Sequence, residues 1–238
     1  MKIVSLAKRR KSLSALGLAP FPDLTGWEGV QVETPRPKKG PDGALRPPAG
    51  DPKILLDADL CLRKGLRAGQ ALSEEALAEL VAESARARAK SKALWLLSRR
   101  DYGEKELAGK LEREFGQEAA AYAARRMSET GLVNDAAYAQ RLASQLLEGR
   151  KVSARQAVYQ ITAKGIDRDL AEAAVAGFSP DPKAQIRAVI QQKYSRCLSD
   201  EKGVRRTVAG LARRGFSFGD IREVLREWAD AYDYNEDE

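Results

Sequence analysis

Leu107-Ala108-Gly109-Lys110-Leu111, Ala157-Val158-Tyr159-Gln160-Ile161 and Thr207-Val208-Ala209-Gly210-Leu211 are three windows of one kind, each 50 residues from the next. The first and last residues of a window are four apart, so they share one side of a helix. Each window runs into a glycine, in Glu114-Phe115-Gly116, Lys164-Gly165-Ile166 and Arg214-Gly215-Phe216. Glycine there suits the left-handed position that ends a helix. A further amphipathic stretch follows each stop. The second and third begin at N-caps, Asp167 and Ser217, the latter with Asp220 three residues on.

Working outward, a longer helix is expected before each window, around Lys92–Arg99, Ala136–Leu147 and Ala184–Tyr194. Asn134 and Asp181 would cap the second and third, with Pro182 at a position where its missing N–H costs nothing. The apolar residues Tyr138, Leu142 and Leu146, then Ile186, Val189, Ile190 and Tyr194, recur with a period of about 3.6 rather than 2. The reading is an all-α protein of three tandem three-helix repeats. Units this small bury little surface alone, so neighbours should help to stabilise one another. Upstream, Ser73 and the acids Glu74 and Glu75 open another helix, with Leu77, Leu80 and Val81 as its apolar stripe. A polar, basic-leaning stretch, Arg86–Lys90, separates that stripe from the repeats.

The N-terminal segment is different. Eight of the ten prolines lie between Pro20 and Pro52, and none occurs from Lys53 to Ser179. Thr34–Pro41 cannot be a helix or a central strand, because its prolines lack donors and fix φ. The expectation is a poorly ordered or partly β arm, with edge strands at Ile3–Leu6 and Val30–Val32. The boundaries become 1–52 for the basic arm, 53–89 for an N-terminal helical region, 90–133, 134–180 and 181–230 for the repeats, and 231–238 for an acidic tail.

Composition narrows function by subtraction. The 238 residues include no histidine, which excludes Ser-His-Asp, Cys-His and His-metal chemistry. Cys61 and Cys197 form no C-x-x-C pair and read as buried thiols. There is no glycine-rich phosphate loop, and the acids alternate with Lys and Arg as on solvated helix faces. No catalytic residue, cofactor or metal is therefore expected. No apolar run is long enough to span a membrane and no signal peptide opens the chain, so a cytoplasmic protein is expected.

Lys and Arg exceed Asp and Glu by 41 to 34, a net +7, which favours polyanionic partners. Basic doublets recur through the repeats, and residues 181–230 carry 11 basic against 7 acidic side chains. On charge and expected exposure the partner- or DNA-binding residues are Arg150, Lys151 and Arg155 at the second repeat's turn, and Lys202, Arg205 and Arg206 in the third. Trp95 and Trp228 read as core, while Trp27, in the arm, is a candidate for stacking on a base or partner against the commoner structural role. The acidic tail has two readings: it keeps the protein soluble, or it competes with anionic ligands for the third repeat. The readings left by the residues alone are a general nucleic-acid-binding repeat and a hydrolase built on scattered carboxylates. The latter lacks any positioned nucleophile or base.

Ala93-Leu94-Trp95-Leu96-Leu97-Ser98-Arg99-Arg100-Asp101-Tyr102, followed by Glu106-Leu107-x-x-x-Leu111, resembles the first repeat of the RecX family, bacterial regulators of the RecA recombinase. Thr130–Ala139 looks like that family's junction between repeats, and Lys164–Asp167 and Arg213–Phe216 are similar to its later turns. Gly65–Ser73 resembles its N-terminal region, and the likeness covers about Ile54 to Ala229. It implies an elongated, curved array of repeats that lies along the recombinase filament on single-stranded DNA. It further implies a non-enzymatic monomer that suppresses ATP hydrolysis, strand exchange and co-protease activity, with weak, salt-sensitive contact to single- and double-stranded DNA. Residues 1–50 match nothing in the family, whose motifs supply no binding residue to carry over.

Overall fold

The computed structural model describes residues 1–9, 12–39, 41, 44–46, 50–198 and 200–233. They form two compact units, Met1–Val133 and Asn134–Glu238. The chain is mostly helical, with strands confined to its N-terminal part.

In the first unit, β1 (Lys2–Lys8), β2 (Leu13–Ala19), β3 (Gln31–Glu33) and β6 (Lys53–Asp57) make an antiparallel sheet in the order β1-β2-β6-β3. The two outer strands are the expected ones, while the two central strands have no counterpart in the sequence reading. β4 (Lys38–Lys39) and β5 (Leu45–Arg46) form a separate ribbon beside the prolines. The short α1 (Ala58–Arg63) follows, capped by Asp57.

The helix α2 (Glu74–Leu97) is continuous, so Arg86–Lys90 is mid-helix and not a break. Its alanines and lack of Gly or Pro give it the local preference to run on. One face, stepping by four through Leu77, Val81, Ala85, Ala89 and Ala93, is buried throughout. The first part of that face covers the sheet, packing among Ile3, Leu16, Leu18, Ile54 and Leu56. The alanines then meet α3 (Glu104–Phe115) and α4 (Gln117–Glu129), where Leu107, Leu111, Phe115, Ala119, Ala120, Ala123 and Ala124 complete a second core. Each fully buried leucine contributes roughly 1.5–3 kcal/mol. Ser84, buried among these residues, accepts a hydrogen bond from the Asp57 N–H at 2.8 Å.

The loop before β3 is fastened to the first repeat. Glu28 Oε2 accepts from the Gln117 N–H at 3.0 Å, and Gly29, at φ 68°, lies where a Cβ would strike the Phe115 carbonyl. Trp27 is half-buried against the sheet core and so is not an open stacking surface.

The second unit contains the other two repeats. α5 (Asp135–Ser144), α6 (Ala154–Thr162) and α7 (Arg168–Ala176) enclose Tyr138, Ala143, Leu146, Ala157, Ile161 and Val175. α8 (Pro182–Val189), α9 (Glu201–Ala212) and α10 (Phe218–Asp233) enclose Ile186, Ile190, Leu211, Phe216, Ile221 and Val224. Asn134, Asp167 and Asp181 all cap as expected, and Ser217 Oγ accepts from the Asp220 N–H at 3.1 Å while its hydroxyl donates to the Asp220 carboxylate. The glycine stops 116, 165 and 215 have φ of 81°, 84° and 85°. The long helices end differently from expectation: α5 and α8 each widen into a π turn, Gln145–Gly149 and Ile190–Tyr194, which keeps Leu146, Leu147 and Ile190 buried. Lys183 pairs with Glu223 and Arg187 with Glu227, clamping α8 to α10.

Two side chains depart from their expected burial. Trp95 is 49% exposed, because the core face of α2 is the alanine row. Trp228 packs against the third-repeat core as anticipated. Cys61 is buried, and burial pushes its thiol pKa up, whereas Cys197 is only half-buried. The acidic tail from Tyr234 onward lies outside the described residues.

Candidate polyanion-binding surface

The π turn after α5 sets where the second repeat presents its charge. It closes with Arg150 N–H on the Gln145 carbonyl at 3.0 Å and Val152 N–H on the Leu146 carbonyl at 3.1 Å. Lys151, between them, is driven to φ 52°, a left-handed conformation that side-chain-bearing residues rarely adopt. Val152 and Ser153 are buried, and Ser153 Oγ accepts from the Gln156 N–H at 3.2 Å to start α6. The short loop is thus anchored at one end, leaving Arg150 exposed and Lys151 half-buried.

Arg155 stands exposed in the first turn of α6, a turn with no acidic residue. A cation there faces the positive end of the helix dipole, so helix stability gives no reason for it. Among the described residues none of Arg150, Lys151 and Arg155 has an acidic partner within ion-pair distance.

The third repeat's turn completes this surface. Ser153 N–H donates to the Arg214 carbonyl at 2.9 Å, and Arg214 Nη1 donates to the Arg150 carbonyl at 2.8 Å. Gly215 packs so closely on Ser153 and Gln156 that a Cβ would not fit without movement. Alongside runs a groove of about 810 Å³ whose walls include Arg155, Tyr159, Phe216 and Phe218. Tyr159 is 66% exposed and Phe218 60%. Tyr159 and Arg155 also border a second groove of about 450 Å³ with Arg168 and Glu172. Its acid is already engaged: Arg168 Nε donates to Glu172 at 2.7 Å, and this bond holds the guanidinium pKa above its ordinary value. The acid in the larger groove, Asp220, accepts from Ser217 Oγ at 2.6 Å.

Lys202, Arg205 and Arg206 project from a different element. All three are exposed on α9, whose buried residues are Thr207, Gly210 and Leu211. Arg205 pairs with Glu201, whereas Lys202 and Arg206 have no acidic partner among the described residues. The structure therefore joins Arg150, Lys151 and Arg155 to the Arg214 turn and the aromatic groove, and sets the α9 trio on its own helix. Tyr159 and Phe218 were missed in the sequence. The available signal was rotational, since Tyr159 lies about 200° round the helix from Ala157, whose side faces the core.

Comparison with known proteins follows the same units. A family model described as "RecX, first three-helix domain" matches residues 89–127, and one described as "RecX, third three-helix domain" matches residues 181–225. The regulatory protein RecX of Thermobifida fusca is 34% identical over 152 residues, spanning 61% of this chain and 80% of that protein. This chain belongs to the RecX family. The regulatory protein RecX of Clostridioides difficile is 25% identical over 185 residues, spanning 76% of this chain and 87% of its own. Among solved structures, a crystal structure of regulatory protein RecX aligns with a TM-score of 0.57 at 18% identity, covering 94% of this chain and 98% of that one. RecX from Lactobacillus salivarius aligns with a TM-score of 0.51 at 19% identity, over 60% and 96% of the two chains. At such identities the structural likeness establishes the fold. The first RecX domain takes in the last turns of α2 with α3 and most of α4, and the third takes in α8, α9 and half of α10. No helix among the described residues is long and apolar enough to cross a membrane.

Proposed function

We propose that this chain is a cytoplasmic, monomeric, non-enzymatic regulator that binds a RecA-type recombinase filament on single-stranded DNA and lowers its ATPase, strand-exchange and co-protease activity. Membership of a family whose named relatives are regulatory proteins supports the regulatory part. The observation that carries the contact is the set of exposed cations without acidic partners, Arg150 and Arg155 beside the aromatic groove, with Lys202 and Arg206 on α9. Such a surface suits a filament that carries the phosphates of its DNA, and its DNA contact is weak and salt-sensitive.

The test is the cognate recombinase's single-strand-dependent ATPase, titrated with this protein well below stoichiometry and with DNA in excess. Inhibition is expected, and occupation of the DNA cannot produce it under those conditions. Arg205→Glu with Arg206→Glu, and separately Arg150→Glu with Arg155→Glu, should each weaken inhibition beyond the loss of one exposed ion pair, about 0–1 kcal/mol. Full inhibition by both double variants would place the contact elsewhere. A second reading, a general nucleic-acid-binding repeat, is favoured by Tyr159 and Phe218 lying open beside Arg155. It predicts no effect on the recombinase, and naked-DNA binding that falls steeply and log-linearly with salt.

A further inference from the structure

The last turns of α2 carry an aromatic side chain that neither core uses. Ala85, Ala89 and Ala93 define the buried side of the helix, and Trp95 sits two residues past Ala93, about 200° round the axis. Its indole therefore faces away from α3 and α4, 49% exposed, next to Leu94 at 50%. Ser91 and Ser98 share that side of the helix and are exposed. Two cations frame it: the Lys92 ammonium is 4.7 Å and the Arg99 guanidinium 4.6 Å from the ring centroid. Arg99 has no acidic partner among the described residues, and Lys92 reaches Glu114 only at 3.9 Å.

The chemistry of this cluster selects among occupants. A second copy of the chain would need about 800 Å² of matched surface per partner, and here only two large apolar side chains lie together. Association through them would also bury the cations over the ring. Both cations lie over the ring, so a nucleobase would take the place of one of them on the indole face, and the displaced cation would move out to the phosphate beside it. The unit that bears Trp95 supplies a favourable background, since residues 1–133 hold 24 basic and 18 acidic side chains. We propose that Trp95, flanked by Lys92 and Arg99, is a stacking platform for an unpaired base of single-stranded DNA, with the adjoining phosphates held by the two cations. The choice of DNA strand rests on the filament reading above, whereas the demand for an unpaired base comes from the indole itself.

The experiment uses the full-length protein, a fluorescently labelled oligothymidylate and a duplex of equal length, with no recombinase present. Trp95→Ala should weaken binding to the single strand by about fivefold or more, the range found for loss of one stacked base. Trp95→Phe should restore most of it, because a phenyl ring still offers a π face. Arg99→Gln should weaken binding and lower the salt slope by about 1, as for one lost phosphate contact. Trp95→Ala should leave that slope and the duplex affinity unchanged. Wild-type affinity in Trp95→Ala, an equal loss on single strand and duplex, or no binding of oligothymidylate by the wild type would each overturn the proposal. Matched thermal melts of wild type and variant check that the substitution leaves the fold intact. Running the ATPase titration on the same variant separates the two readings. Lost stacking with intact inhibition supports the platform and leaves the filament contact to other residues. Intact DNA binding with lost inhibition puts the indole on protein and overturns the platform.

Discussion

Lys151 shows how a single residue can serve the surface at the expense of the fold. Its φ of 52° is enforced by the π turn behind it and by buried Val152 ahead. Holding a side-chain-bearing residue in the left-handed region costs about 1–2 kcal/mol, which glycine would not incur. Glycine also gives the unfolded chain more freedom, which takes back part of the gain. Lys151→Gly should therefore raise stability by about 1 kcal/mol net, seen as a higher melting temperature. It should also weaken polyanion binding and reduce the salt slope by about 1. A variant that is more stable and binds as well as the wild type would remove Lys151 from the surface. Trp95 makes a related point about legibility. The sequence expectation took an aromatic residue amid leucines for core, but the buried row of α2 is alanine, which lets α4 approach closely through its own alanines. Large apolar residues draw attention in a sequence, while a close helix contact built of small ones does not.

At the scale of elements, the repeats were legible because their signals are local. Caps at Ser73, Asn134, Asp167, Asp181 and Ser217 and the glycine stops depend on side chains within a few residues of the helix end. The central strand β2 was not legible, since Leu13–Ala19 is buried at nearly every position and shows no alternation, while β6 alternates in burial but offers only the short apolar run Ile54-Leu55-Leu56, which periodicity cannot tell from a helix start. Nor could spacing reveal that the arm is joined to the first repeat through Glu28, 89 residues before its hydrogen-bond donor. That bond supplies what α4 lacks, because Gly116 at its start has no side chain with which to cap it. Loss of an N-terminal capping acceptor costs about 0.5–2 kcal/mol. Glu28→Ala should lower the stability of the first unit by that amount in urea titration, and Glu28→Gln, which keeps an acceptor oxygen, by less. Trp27, next in sequence and half-buried against the sheet core, provides the fluorescence signal. Equal stability of Glu28→Ala and the wild type would mean that water replaces the carboxylate without loss.

For the whole molecule, burial and charge divide the chain in different ways. Each of the four hydrophobic cores lies within one unit, two in Met1–Val133 and two in Asn134–Glu238. Either unit, produced alone, should therefore melt cooperatively, since none of these cores is cut by the division. Charge is unequal: residues 1–133 carry 24 basic and 18 acidic side chains, while residues 134–238 carry 17 and 16. The near balance of the second unit comes from its end, where residues 231–238 contain four acids and no base. If the overall field governs encounter with naked single-stranded DNA, the first unit alone should bind more tightly at low salt and lose affinity with a steeper log-linear slope. The second unit should then gain affinity when residues 231–238 are removed, because its 17 basic side chains are then set against 12 acidic ones rather than 16. Anisotropy titrations over a salt series on the two units and the shortened second unit decide this. Tighter binding by the intact second unit would mean that the local arrangement around the aromatic groove outweighs net charge, and unchanged binding on deletion would relieve the tail of any competing role.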